Sequence, residues 1–375
     1  MPEGVREAIA RRLERLPGGS EELLRTAAVM GTSFELRLLA RVARQTEDSV
    51  LAMLERAARA GMTQEAGEPG RYRFSHDLIQ ETLAAQLTSV RRARQHADVA
   101  AAMEELYGQD DQARAGELSR HVAEAVELVG IEKLLRSTLV AAEHALRSCA
   151  PEQAVALVDR ALGTLQERDP NRHERQKAAL LYCRGRALDD LLSPEAAECF
   201  TAAFDIYERL GDVSGAVEVA LSPAWQPCRG LAIVVTMWVH SGVGALRDRA
   251  LKMVAPGSVE EGWLLTQTNG PLELSERALS IAERHGDEAL EMWARACVAE
   301  GLTSLGQFRG SQQQHERALE IATKRDDLVA VFDCLYWSAY QNGITGSAEG
   351  RAACVRAMVA AAHRARSRRM IAVPA

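Results

Sequence analysis

Two small residues seven positions apart recur along the chain from Ala154 onward, and no other feature limits its fold as tightly. Ala154 pairs with Ala161, Ala196 with Ala203, Ser311 with Ala318 and, more weakly, Gly350 with Ala357, while Ala278 fills an intermediate slot. Seven residues make two helical turns, so each pair lies on one helix face and lets an antiparallel helix approach closely. Successive second members recur at roughly 40 residues, the scale of a helical-hairpin repeat. One hairpin cannot bury its own apolar face, so such units stack into a solenoid. Composition agrees: 47% of the 375 residues are hydrophobic but only 5% aromatic, which suits helices built on Ala and Leu.

This pattern resembles the tetratricopeptide repeat, most clearly where Ser193-Pro194-Glu195-Ala196 leads to Phe200 and Ala203, and where Gly306 and Phe308 lead to Ser311 and Ala318. It departs at His315, where the repeat carries an aromatic, and its units exceed the ~34 residues of the standard repeat. Around 222–271 the register is lost, and Pro223, Pro227, Pro256 and Pro271 punctuate an inserted or degenerate repeat. The resemblance implies a right-handed stack whose concave face receives a protein partner or a small-molecule inducer. Trp225, Trp238, Trp263, Trp293 and Trp337 all fall in the second half of the chain, and core packing is the expected place for most of them.

The stretch Arg71 to Leu83, RYRFSHDLIQETL, carries the one chemically specific signal. Arg71 to Phe74 alternate as a short strand, and the GEPG turn before them pairs that strand with Met62 to Glu65. From Asp77 the period becomes helical, with Leu78, Ile79, Thr82 and Leu83 on one face and Ser75 placed to cap the first turn. His76 then stands at a helix start, where free amides and an imidazole N–H suit an anion such as a phosphate. The same position also suits a structural imidazole packed on the ribbon.

Before it, Val5, Ile9, Leu13 and Leu16 trace a helical stripe that ends at Pro17-Gly18-Gly19. Ser20 is expected to cap a second helix closed by Gly31, Ser33 to open a third and Thr46 a fourth. With the ribbon this is a winged-helix layout. Its fourth helix sets Glu47, Asp48 and Glu55 against only Arg56 and Arg59, too acidic a face to read DNA. A helix from Thr88 and Ser89 buries Val99, Met103 and Leu106 and carries Arg91, Arg92 and Arg94, either a solvated face or a contact for phosphate or an acidic partner. Gly108 to Asp111 break the pattern, dividing a winged-helix domain at 1–108 from a helical repeat domain at 109–375.

FSHDLIQETL is similar to the end of the winged-helix domain in STAND signalling ATPases, the bacterial regulators many of which are of LuxR type, and resembles the MHD motif of plant NB-ARC proteins. Segments 2–17, 23–40 and 87–106 match the same bacterial family. The resemblance implies that His76, the matching position, reaches the β-phosphate of ADP held by a nucleotide-binding domain packed on the winged helix. That domain precedes this region in the family and is not in this sequence. Two functions follow: the regulatory and sensor segment of a STAND-type ATPase, in a transcriptional regulator, or a stand-alone repeat adaptor capped by its winged helix.

No catalytic site is expected in this chain. It has no G-x-x-x-x-G-K-[ST], H-E-x-x-H or G-x-S-x-G, and its nine His show no metal-ligand spacing. ATP or ADP is implied for the family, with no cofactor expected in this chain by itself. A net charge of −7 argues against nucleic-acid binding by the chain as a whole. Cysteines 149, 183, 199, 228, 297, 334 and 354 stand singly, and no signal segment opens the chain, which points to small buried thiols in a reduced, cytoplasmic protein. The apolar run Leu231 to Val239 falls short of the ~20 residues that span a bilayer and reads as a buried helix. The basic tail His363 to Arg369 reads as a solvated helix end.

Overall fold

The computed structural model describes residues 9, 11–14, 16–108, 111–222, 243–266 and 271–365. The fold is mainly α, and its contacts divide into two units, Met1–Gln176 and Lys177–Ala375. Gly108 and Asp111, expected at a domain boundary, both lie inside the first unit.

The first unit opens with α1 (Ser20–Met30), whose Leu23, Leu24, Ala27 and Ala28 are buried. Gly19, not Ser20, occupies its cap, and the Ser20 side chain is buried at the first helical position. Ser33 likewise opens no helix: Ser33–Glu35 is a strand, β1, and α2 runs over Leu36–Ala43. α3 (Glu47–Arg59) starts as its sequence implies, with the Thr46 hydroxyl accepting from the Ser49 N–H. β2 (Thr63–Glu65) and β3 (Arg71–Phe74) form the ribbon, and β1 joins the other edge of β3 to give an antiparallel sheet of order β1-β3-β2. Phe34 faces Tyr72 in that register and meets Phe74 at 5.5 Å between ring centroids. Each ring so buried stabilises the unit by about 1.5–3 kcal/mol.

α4 (Asp77–Ala85) and α5 (Ser89–Tyr107) follow, then a short 3₁₀ turn, α6 (Ala115–Glu124), α7 (Val126–Val129), α8 (Ile131–Arg147) and α9 (Pro151–Arg168). Two buried imidazoles join α5 to α6: Nδ1 of His96 and Nδ1 of His121 stand 2.9 Å apart. Arginine only donates, so Arg120 Nη2 at 2.8 Å makes His121 Nε2 an acceptor. His121 therefore carries its proton on Nδ1 and donates it to His96. The same guanidinium nitrogen donates at 2.6 Å to the carbonyl of Met30, the last residue of α1. Burial above all pushes His96 down from 6.5 to about 4, and pushes His121, beside Arg120, to about 2.

Both rings are thus neutral in the fold and protonate readily only when it opens. Their contribution is whole above the ordinary histidine pKa of 6.5 and is lost as pH falls from there towards about 4. Thermal melting followed between those pH values is expected to show a steep loss of stability that His96→Gln reduces; equal slopes for the two proteins would contradict it.

The second unit is a run of helical hairpins. It contains all but the first turn of α10 (Glu174–Asp190), then α11 (Glu195–Leu210), α12 (Val213–Leu221), α13 (Val243–Ala250), α14 (Val259–Leu265), α15 (Leu272–His285), α16 (Glu288–Ser304), α17 (Phe308–Lys324), α18 (Leu328–Ile344) and α19 (Ala348–Ala365). These stack as an α-helical, tetratricopeptide-like solenoid. From α16–α17 to α18–α19 the repeat is about 40 residues, as the sequence implies.

Ala196, Ala203, Ser311 and Ala318 are fully buried, as is Ala278, and in the first unit so are Ala154 and Ala161. The weakest pair fails: Ala357 is exposed, and α19 buries Met358, Ala361 and Ala362 instead. That face is one residue further round because α19 packs on Phe332 and Ala339 with a methionine, not a small residue. Of the irregular stretch 222–271, residues 223–242 and 267–270 lie outside the described residues, and with them Trp225, Cys228, Trp238 and the run Leu231 to Val239. Cys183, Cys199, Cys297 and Cys334 are buried as expected, Cys354 is half-buried, and Cys149 is exposed in a turn.

The turns between hairpins share one chemistry. Gly211-Asp212, Gly286-Asp287 and Asp326-Asp327 each place a left-handed residue before an Asp whose carboxylate accepts from the first-turn amides of the next helix. Within the hairpin α10–α11 the left-handed position falls to Leu192, at φ 57° and 60% exposed. A β-carbon there costs roughly 1–2 kcal/mol. Leu192→Gly is expected to raise the melting temperature, a stabilisation of about 1 kcal/mol, and an unchanged or lower value would contradict it.

Candidate functional site

β3 ends at the buried Phe74, and the Ser75 N–H then donates to Met62 O at 3.0 Å, which turns the chain off the ribbon. The capping position of α4 is His76, not Ser75, with extended backbone at φ −145° and ψ 141°. The Ser75 backbone still pairs with the ribbon, so the cap falls one residue later. The His76 side chain makes no capping bond, and its ring is exposed. Ile79 and Leu83 are buried beneath the helix, and Gln80 Nε2 donates at 2.6 Å to Ala28 O, so the orientation of α4 is fixed by α1. An exposed imidazole and first-turn amides without a side-chain cap can donate together to an anion. Asp77, also exposed, sits beside them and disfavours an anion that approaches from its side.

Arg91, Arg92 and Arg94 are exposed on the first turns of α5, which contain no acidic residue. They form no ion pair among the described residues. Positive charge at the positive end of a helix is locally unfavourable, by a few tenths of a kcal/mol per charge up to about 1.

In the second unit Trp293 is buried among Met292, Ala318, Ile321 and Ala330, with the half-buried Trp263 packed on the same cluster. Trp337 is half-buried on α18. Thus one of the three described tryptophans is wholly core.

A shallow cavity of 530 Å³ opens at the turn between α18 and α19, lined by Asn342, Gly343, Arg351, Val355 and Arg356 among others. One repeat earlier, Arg351 and Val355 correspond to Ser311 and His315. α18 reaches over that earlier position, where Gln341 Nε2 donates to Ser311 Oγ. The cavity is therefore the stacking face of the last described hairpin, left with two arginines on it.

His315 is 1% exposed, and neither ring nitrogen has a hydrogen-bond partner among the described residues. Burial pushes it down to about 4, so it is a neutral ring filling the slot of the repeat's aromatic. Leaving buried polar atoms unmet costs about 1–3 kcal/mol. His315→Phe is expected to stabilise the chain by about 1 kcal/mol or more in denaturant unfolding. Destabilisation would show that the ring has a use that packing does not reveal.

Among the described residues no three His, Cys, Asp or Glu gather as metal ligands, and no helix is long and apolar enough to cross a membrane.

No protein-family model matches the sequence, and no curated protein matches it. Among solved structures 23 chains do match. One is a signal transduction ATPase with numerous domains, a STAND protein with a tetratricopeptide repeat sensor, from Pyrococcus horikoshii, at TM-score 0.45 and 14% identity. That match covers 95% of this chain, which spans only 58% of the length of that protein. Another is the apo form of RapI, at TM-score 0.36 and 13% identity, covering 67% of this chain and 90% of that one.

Proposed function

We propose that this chain is the regulatory and sensor segment of a STAND-type signalling ATPase, in a cytoplasmic transcriptional regulator of LuxR type. In this reading α1 to α3 with the three-stranded sheet form a winged helix that closes on a nucleotide-binding domain. The helical repeats take up a protein partner or an inducer. The observation that carries it is His76, an exposed ring at a helix start with no side-chain cap, at the position where the resemblance puts the phosphate-reading histidine. The chain is not an enzyme by itself. ATP and ADP belong to the nucleotide-binding domain, and nucleic acid is not its direct ligand.

In a protein that joins this chain to such a domain, His76→Ala is expected to weaken ADP retention about tenfold, the loss of one charge-assisted hydrogen bond. Basal signalling rises with it, and thermal stability stays nearly unchanged because the residue is exposed and makes no capping bond. The chain alone is expected to show no ATP turnover above a heat-killed control. Unchanged ADP retention in the variant would leave the alternative, a stand-alone repeat adaptor.

A further inference from the structure

Where α18 crosses the preceding hairpin, two hydroxyls receive one amide. Thr303 Oγ1 and Ser311 Oγ donate to Ala299 O at 2.9 Å and 2.7 Å, and both accept from Gln341 Nε2, which reaches over from α18. That crossing leaves Ser311 and His315 buried and Leu319 partly buried in the apolar cluster beneath. An incoming helix is thus met by acceptors and must bring a donor.

One repeat on, the same crossing has the opposite chemistry. Gly343 stands in the place of Thr303 and Arg351 in the place of Ser311, so both hydroxyl acceptors are replaced by a guanidinium that only donates. The guanidinium lies against that glycine: a β-carbon added at Gly343 would stand 3.7 Å from Arg351 Nη1. Arg356 lines the same cavity, and neither arginine has a side-chain hydrogen bond or ion pair among the described residues. The one acid of α19, Glu349, is two residues from Arg351, a spacing at which helical side chains do not face each other. Apolar surface continues from the arginines. Ala352 is exposed, Val355 is half-buried in the position of the buried His315, and Val359 is 45% exposed in the position of Leu319.

From these two successive crossings we infer that the stacking face of α19 takes up a helix of a protein partner, seated as a further hairpin would be and bearing an Asp or Glu where α18 bears Gln341. The carboxylate accepts from Arg351 and Arg356, and the apolar residues beside it cover Ala352, Val355 and Val359. From Arg351 to Val359 the strip runs roughly 12 Å along the helix, more than a free carboxylate or phosphate covers, which favours a helix over a small anion. Residues 366–375 contain three Arg and no Asp or Glu, so they do not supply the acid. A second copy bound through the same face would set guanidinium against guanidinium. The inference rests on the reading of the repeats as a partner-binding sensor and supplies the form and charge of that partner.

The test takes the full chain and three fluorescein-labelled amphipathic helical peptides, identical except for a Glu, Gln or Lys at the centre of a Leu stripe, read by anisotropy at physiological salt. The Glu peptide is expected to saturate and to bind about tenfold more tightly than the Gln peptide, with no binding of the Lys peptide. Arg351→Glu is expected to lose the Glu peptide and gain the Lys peptide, and Val359→Asp to weaken the Glu peptide about tenfold, with circular dichroism and melting unchanged because both side chains are exposed. The inference is overturned if the Glu peptide does not saturate, if the Lys peptide binds as well, or if folded Arg351→Glu still prefers the Glu peptide. Complete displacement by an equal concentration of acetate or phosphate overturns the helix in favour of a free small anion. A dimer in light scattering that Arg351→Glu dissolves overturns the partner in favour of a second copy. No nucleotide takes part, so failure here leaves the His76 reading standing, and unchanged ADP retention in His76→Ala leaves this binding standing.

Discussion

Close approach of helices at small side chains is the constraint on which the second unit depends. A β-carbon added at Gly185 would stand 2.8 Å from the Phe200 ring, and one at Gly262 would stand 2.6 Å from Leu290. The large residue of one helix fills the space that the small residue of its neighbour leaves, which keeps the interior at crystal-like density. Ser311 does the same with a hydroxyl: it donates at 2.7 Å to Ala299 O and accepts from Gln341, so the polar atom at the crossing is met on both sides. Stacking of the α18–α19 hairpin on α16–α17 thus uses hydrogen bonds as well as apolar burial.

The helical stripes, the ribbon and the repeat length were readable because each spans enough residues for its period to show. β1 was not, since three residues contain a single alternation and Ser33 imitates a helix start. Its partner is β3, 38 residues away, and only tertiary pairing reveals it. The site was half readable. The helix start at Asp77 followed from the change of period, but the cap fell one residue late, at His76, because the Ser75 backbone N–H still pairs with the ribbon at Met62 O. Gly350 and Ala357 satisfied a spacing rule that packing ignored, whereas the recurring left-handed residue followed by Asp was a repeat marker in plain view.

Burial sorts the histidines of this chain into roles that their spacing could not. His121 is 0% exposed and ordered by Arg120, which selects its tautomer and makes it a donor to His96. His315 is as deeply buried but unmet, a polar ring in an aromatic slot. Neither can bind a solvent-borne ligand without local unfolding, and both are held neutral. His76 differs in each respect: exposed, without a capping bond, and set at the mouth of a helix whose orientation is fixed by Ile79, Leu83 and Gln80. An exposed ring is open to contact from solvent, and the helix that carries it, tied to α1 through Gln80, fixes its backbone position. A fixed base and an exposed side chain without a capping bond are what the proposed reading of phosphate requires, and the start of α4 has both.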